Sequence, residues 1–188
     1  MKSIAVLVGS IRAGSINLRF AKALEQLSLT RFTFVFVDIG SLPHYNDDLW
    51  KDPPEPVLKL KRQVEAADAV LFVTPEYNRS FPGVLKNAID WGSRPKETSS
   101  WPGKPCAIVG TAAGAIATAA AQAQLRALLP VLDLLLMGQP EVYFRMTPGM
   151  IDDNLAITDD TTRKFLDGWV ERFDAFIERV GVHRHAKT

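Results

Sequence analysis

Two hydrophobic rhythms alternate along the chain. Unbroken apolar runs of strand length occupy residues 4–8, 69–74 and 106–111, and a β-branched and aromatic run covers 32–37. Such runs carry no polar face, which is how strands buried on both sides of a sheet read. Between them, apolar positions return at helical spacing. Leu18, Ala21 and Leu24 mark a helix over 15–27; Leu58, Leu60, Val64 and Ala67 mark one over 57–67. Residues 82–91 predict a third helix with Pro82 at its start, where a missing N–H costs nothing. An alanine-rich helix over 115–129 is stopped by Pro130. Residues 134–144 hold a fifth strand, interrupted at Gly138-Gln139-Pro140. A last helix over 158–180 turns Phe165, Trp169, Phe173 and Phe176 toward the core. The segment 42–56, with Pro43, Pro53, Pro54 and Pro56, reads as an irregular loop. Residues 181–188 are expected to fray.

Strand followed by helix, five times over, predicts right-handed βαβ units and an α/β fold around a five-stranded parallel sheet. The order 2-1-3-4-5 suits that count. No repeat, low-complexity tract or linker divides the chain, so residues 1–188 read as one domain. The charge balance of 22 Lys+Arg against 21 Asp+Glu gives no electrostatic case for nucleic acid or a membrane surface. No apolar run is long enough to span a bilayer: 112–137 is broken by Gly114, Gln122, Arg126, Pro130 and Asp133. The N-terminus lacks the longer apolar region and cleavage site of a signal peptide, so a cytoplasmic location is expected. One cysteine excludes a disulfide framework and a cysteine zinc site.

In an open parallel sheet, ligands bind beyond the carboxyl ends of the strands, where the strand order reverses. Three loops meet that place. The first is GSIRAGSIN, Gly9 to Asn17. Its glycines have the spacing of a triphosphate-binding loop, but Ser15-Ile16 stand where Lys-Ser/Thr would be needed. Ile11 replaces the second glycine of the dinucleotide fingerprint. What remains is a hydroxyl-rich helix entry with Ser10, Arg12, Ser15 and Asn17. Helix-start amides, serine hydroxyls and one guanidinium, with no metal ligand nearby, suit one terminal phosphomonoester. The alternative is an ordinary turn with Ser15 as helix cap. The second loop is TPEYNRSFPGVLKNAIDWGSR, from Thr74. Pro75 ends the strand, and Glu76, Tyr77 and Asn78 then offer backbone donors and acceptors to the edge of a flat heterocycle, with Tyr77 as an aromatic wall. It too reads plainly as a turn. The third, GTAAGA from Gly110, brings Thr111 and Gly114 to a helix entry; its small residues permit close approach to the backbone.

On GSIRAGSIN and PEYNRSFPGVLKNAIDW the sequence resembles the NADPH-dependent FMN reductase family, a flavodoxin-like group that includes quinone, azo-dye and chromate reductases. The resemblance runs from Ile4 to about Val180. It implies a three-layer flavodoxin-like sandwich, FMN as cofactor, NADPH or NADH as electron donor, a small-molecule acceptor, and a homodimer or homotetramer. By position, Ser10, Arg12, Ser15 and Asn17, with the Ile16 amide, would hold the FMN phosphate. Pro75, Glu76, Tyr77 and Asn78 would border the isoalloxazine, and Thr111 and Gly114 would lie beside the ring or ribityl chain. The third loop departs from the family, where more serine and glycine is usual.

With FMN bound, the hard chemistry would belong to the cofactor. Hydride would pass from NAD(P)H to the flavin and electrons onward to quinones, azo compounds, flavins or metal oxyanions such as chromate. No acid, base or nucleophile is assigned, and a backbone N–H from 76–78 is the expected tuning group near flavin N5. The other tempting residues have plainer readings. Cys106 and Trp91 pack in the core, His183 and His185 lack partner ligands, His44 borders the proline-rich loop, and Arg79 and Arg94 are solvated charges within reach of dinucleotide phosphates. Two further functions share the same loops: an electron carrier, against which the balanced charge weighs, and a flavin-binding regulator without turnover.

Overall fold

A parallel sheet forms the spine of the molecule. In the computed structural model, which describes residues 1–181, β1 (Lys2–Val8), β3 (Ala69–Val73) and β4 (Pro105–Ala112) make its centre and β2 (Phe32–Phe36) one edge. The order is β2-β1-β3-β4-β5, parallel at every pairing. Ala5 lies beside Val35 on one side and Val70 on the other, and Phe72 beside Ile108. The expected fifth strand is split in two. β5 (Leu135–Leu136) pairs with the start of β4, and β6 (Val142–Arg145) pairs with its end. Pro140, between them, has no N–H for the ladder, so the edge leaves the sheet and rejoins it. The sheet therefore has six strands rather than five, in the expected order.

The uninterrupted apolar runs are explained by helices on both faces. α1 (Ile16–Leu27) and α5 (Asp160–Gly181) cover one face, setting Phe20, Leu24, Leu166, Trp169 and Phe173 against Ile4, Val6, Leu71 and Val109. α2 (Glu55–Ala66), α3 (Gly83–Gly92) and α4 (Ala119–Leu128) cover the other, setting Leu60, Leu85, Ile89, Trp91 and Leu125 against Ala5, Leu7, Val70 and Phe72. Each such burial is worth about 1.5–3 kcal/mol. Cys106 is buried, and that burial pushes its thiol pKa well up.

Three expectations need correction. α4 starts at Ala119, not at 115, because the stretch before it turns through Ala117 at φ 49°. Pro130 does not simply end that helix; it sits in a 3-10 turn over Leu129–Leu132, at a position that needs no N–H. On α5 the buried stripe runs through Leu166, Trp169, Val170, Phe173 and Ile177. Phe165 is 46% exposed and Phe176 only half-buried, with the Arg179 guanidinium 5.6 Å from its ring centre. Gly181 continues α5, while the rest of the expected frayed tail, with His183 and His185, lies outside the described residues. Among the described residues no helix is long and apolar enough to cross a membrane, and no group of three acidic, histidine or cysteine residues could hold a metal ion.

Candidate functional site

The crest of the sheet, beyond the ends of β1, β3 and β4, brings the three loops together. Gly9 extends β1 by donating to the Val73 carbonyl at 2.8 Å. The chain then passes Ser10, half-buried, and Arg12, exposed and without an ion-pair partner among the described residues. Ser15 is the N-cap of α1: its Oγ accepts from the Leu18 amide at 3.1 Å, and its own N–H donates to the Arg12 carbonyl. A hydroxyl that accepts once still has its proton to donate. The Ile16 and Asn17 amides open the helix and so have no intrahelical acceptor. Ser15 is thus the helix cap that the plain reading expected, and the donors the cap leaves open keep the turn available as a candidate anion site.

Asn17 is placed differently from expectation. Its side chain is buried, with Nδ2 donating to the Thr111 carbonyl at 2.9 Å and Oδ1 accepting from the Thr111 amide at 3.0 Å. The carboxamide fastens α1 to the end of β4, and what Asn17 offers at the loop is its backbone N–H. Beside it the Thr111 hydroxyl is buried with no hydrogen-bond partner among the described residues.

The second loop is a tight turn held from a distance. The Tyr77 and Ser80 amides donate to each other's carbonyls at 2.9 and 3.0 Å, and Asn78 and Arg79 between them have φ of 52° and 64°. Two successive left-handed residues define the mirror-image turn that joins tight hairpins. The Glu76 carboxylate points away from the loop and accepts from the Ala120 and Ala121 amides at 2.9 and 3.1 Å, where α4 begins. A negative group there also meets the positive end of the helix. Farther along α4, the Gln124 side chain accepts from Ser80 Oγ at 2.6 Å and donates to the Arg79 carbonyl at 2.8 Å. Arg79 lies 3.6 Å from Glu76, and Arg94 turns its guanidinium onto Ser93. Of the three candidate tuning amides, that of Tyr77 is spent inside the turn, whereas those of Glu76 and Asn78 donate to no acceptor among the described residues. The Tyr77 ring is half exposed.

Gly110 draws these loops close. A Cβ there would lie 2.3 Å from the Thr74 carbonyl oxygen and 2.4 Å from Thr118 Oγ1. Gly114 stands in open space, with nothing within 4 Å of the position its Cβ would take. Sequence reading placed Gly110 at the start of the third loop without showing what it packs against, and missed Gln124, which looked like part of a packing helix. A glutamine in a run of alanines was the available signal.

The crest therefore offers free helix-start amides, a serine proton and an unpaired guanidinium at one end. At the other it offers amides that donate to no acceptor among the described residues, beside a half-exposed aromatic ring, and the end of β4 adds the buried Thr111 hydroxyl. That donor set fits a phosphomonoester carrying a flat heterocycle, as in FMN, and includes no cation ligands. Comparison with known proteins agrees. Residues 2–149 match the NADPH-dependent FMN reductase family. The chain is 50% identical to a 2-hydroxy-1,4-benzoquinone reductase from a Burkholderia species, over 93% of this chain and 95% of that protein. It is 44% identical to a quinone reductase of Pseudomonas putida, over 94% and 95%. The solved structure of FerB, a flavoenzyme NAD(P)H:(acceptor) oxidoreductase from Paracoccus denitrificans, superposes with a TM-score of 0.93 at 47% identity, covering 95% of this chain and 98% of that one. A flavodoxin WrbA-like protein from Agrobacterium tumefaciens, at 18% identity and a TM-score of 0.62, shares the fold. Motifs, topology and relatives converge: the chain belongs to the NADPH-dependent FMN reductase family, oxidoreductases that run on FMN and a nicotinamide dinucleotide.

Proposed function

We propose that this protein is an NAD(P)H-dependent quinone reductase that works through FMN held at the crest of its sheet. The observation that carries the reading is the pairing of a capped helix entry with open donors and an amide-presenting turn, both at the crest of the sheet. Quinone reductases among its full-length relatives support the choice of acceptor. Azo compounds, free flavins and metal oxyanions such as chromate are further acceptors that an open flavin face admits. A homodimer or homotetramer in the cytoplasm completes the reading.

FMN, when bound, would supply the two-electron chemistry between the dinucleotide and the acceptor. The chain's own residues position and tune. Ser10, Arg12, the Ser15 proton and the Ile16 and Asn17 amides hold the phosphate, the guanidinium adding charge-assisted bonds. Pro75, Glu76, Tyr77 and Asn78 border the ring, with the Glu76 or Asn78 amide as donor toward its edge. Thr111 offers its hydroxyl from below, and Gly114 leaves the ring side uncrowded. No side chain is asked to be an acid, base or nucleophile.

Anaerobic titration tests this. The flavin of the purified protein should bleach on addition of NADPH or NADH and recover its absorbance with a benzoquinone. A bound flavin that neither dinucleotide bleaches overturns the reading in favour of a carrier or a regulator.

A further inference from the structure

A groove of about 470 Å³ opens beyond the ends of β1 and β2, on the outer side of the first loop. It borders the first loop and includes Ser10 and Arg12, two of the residues proposed for the FMN phosphate. Its walls are apolar, with the half-buried Phe36 ring and Ile39 from the end of β2 and Ile11 opposite. Gly40 closes one end; a Cβ there would press against Ile11 Cγ2 at 3.2 Å. One carboxylate stands in this wall. Asp38 Oδ1 accepts from the Gly40 and Ser41 amides at 3.0 and 3.3 Å, which fixes the group while Oδ2 has no partner among the described residues.

We propose that this groove receives the adenosine half of the electron donor, with Asp38 accepting from the 2′- and 3′-hydroxyls of the ribose, and that it thereby selects NADH over NADPH. The proposal rests on the reading of a nicotinamide dinucleotide as donor. Three features carry it. In a strand–helix–strand unit whose second strand lies beside the first, the end of the second strand faces the same cleft as the helix start. Dinucleotide-binding folds use an acidic residue there for the ribose diol. Here β1, α1 and β2 have that arrangement, and Asp38 stands two residues beyond the end of β2. The apolar slot beside Phe36 suits a planar base. A 2′-phosphate would instead bring about two negative charges against a fixed carboxylate, with no basic side chain but Arg12 lining the groove. The adenylate half of FAD has the same chemistry, and the test separates the two.

The test uses flavin-loaded protein with two probes, 5′-AMP and adenosine 2′,5′-bisphosphate, measured by calorimetry, beside steady-state kinetics with NADH and NADPH. The variant is Asp38→Asn, which keeps the oxygen that accepts from Gly40 and Ser41. The wild type should bind 5′-AMP about tenfold more tightly than the bisphosphate, and Asp38→Asn should bring the two within about threefold, on the scale of a lost like-charge penalty. The KM for NADH should rise and that for NADPH fall, with kcat held. FMN affinity and thermal midpoint should stay as in the wild type. Equal binding of the two probes by the wild type, or an unchanged ratio in the variant, overturns the proposal. So does tighter binding of FAD than FMN to the apoprotein when that margin depends on Asp38, which would give the groove to the cofactor's own adenylate. Asp38-dependent binding of 5′-AMP by a protein whose flavin neither dinucleotide bleaches would leave the nucleotide subsite standing and sink the donor reading instead.

Discussion

The two ends of the sheet treat polar groups in opposite ways. At the end where the strands begin, charges are answered from within the chain. Lys104 donates to the Glu65 and Ala67 carbonyls, and Lys61 to those of Arg94 and Thr98 at 3.1 and 2.7 Å. Lys2 meets Asp174 and Glu178, and Arg31 meets Glu171 and Asp174. At the crest, the Ile16, Asn17, Glu76 and Asn78 amides, the Thr111 hydroxyl and the Arg12 guanidinium find no such partners. Of these only the Thr111 hydroxyl is buried without a partner among the described residues, a cost of about 1–3 kcal/mol; whatever binds the folded crest stabilises it by mass action. Donors left open toward one cleft, where the other end of the sheet spends its own within the chain, are the physical mark of the candidate site.

The largest effect expected is at Gly110, where fold and site are the same thing. Gly110→Ala would drive a methyl into the Thr74 carbonyl and the Thr118 hydroxyl, neither at the end of a flexible side chain. Overpacking of this kind costs about 3 kcal/mol or more, equivalent to a fall in thermal midpoint on the order of 10 °C for a domain this size. Flavin binding should be lost with it. A calorimetric scan of the apoprotein checks this, and an unchanged midpoint would mean that the crest loops are not locked together at this position.

Glu76→Ala comes next. It removes a charged acceptor from two amides at the start of α4 and releases the far anchor of the turn. Hydrogen bonds to a charged group are worth about 1.5–3 kcal/mol. The expected outcome is a loss of stability of that order, together with faster hydrogen exchange at Ala120 and Ala121. Glu76→Gln, which keeps an acceptor, should lose less. Arg12→Ala sharpens the contrast, because it should leave the stability of the apoprotein alone while weakening FMN binding by about 1.5–3 kcal/mol. Equal FMN affinity in wild type and variant would remove Arg12 from the phosphate site.

These cases show which parts were legible in the sequence. Strand runs buried on both faces announce themselves, and the order of elements followed from the β/α alternation. The first loop was legible as a capped helix entry with open donors because its geometry is local: cap, helix-start amides and hydroxyls lie within nine residues. The turn after β3 was legible as a turn, but its anchors were not, since Ala120, Ala121 and Gln124 lie 44 or 45 residues along the chain from the Glu76, Arg79 and Ser80 groups they bond and reach them only in the folded molecule. Asn17 misled for the same reason; a carboxamide at a helix start looks like an anion ligand until the end of β4 is seen against it. The split of the last strand and the rotated stripe on α5 also depend on neighbours. Pro140 could be read as an interruption but not as two separate pairings with β4, and nothing local told Phe165 that Leu166 would take the core.

The smallest effect lies at the opposite end and probes how fully its charges are answered. Lys61 is nearly buried, its ammonium held by two carbonyls, with Glu65 at 4.0 Å. Burial lowers its pKa below the usual 10.5, and the attraction of Glu65 offsets this only in part. The folded chain therefore gives up this proton more readily than the unfolded chain does. Between the lowered value and 10.5 the unfolded state binds more protons, so this group's contribution to stability grows as pH rises through that window. It is complete above the unfolded value and absent below the folded one. Lys61→Met, similar in length and without charge, removes the titration. Denaturant midpoints measured from pH 8 to 10.5 should rise more steeply, or fall less, in the wild type than in the variant. Parallel profiles would mean that the two carbonyls satisfy the ammonium completely. The contrast between the two ends of the sheet would then be sharper than the lowered pKa implies.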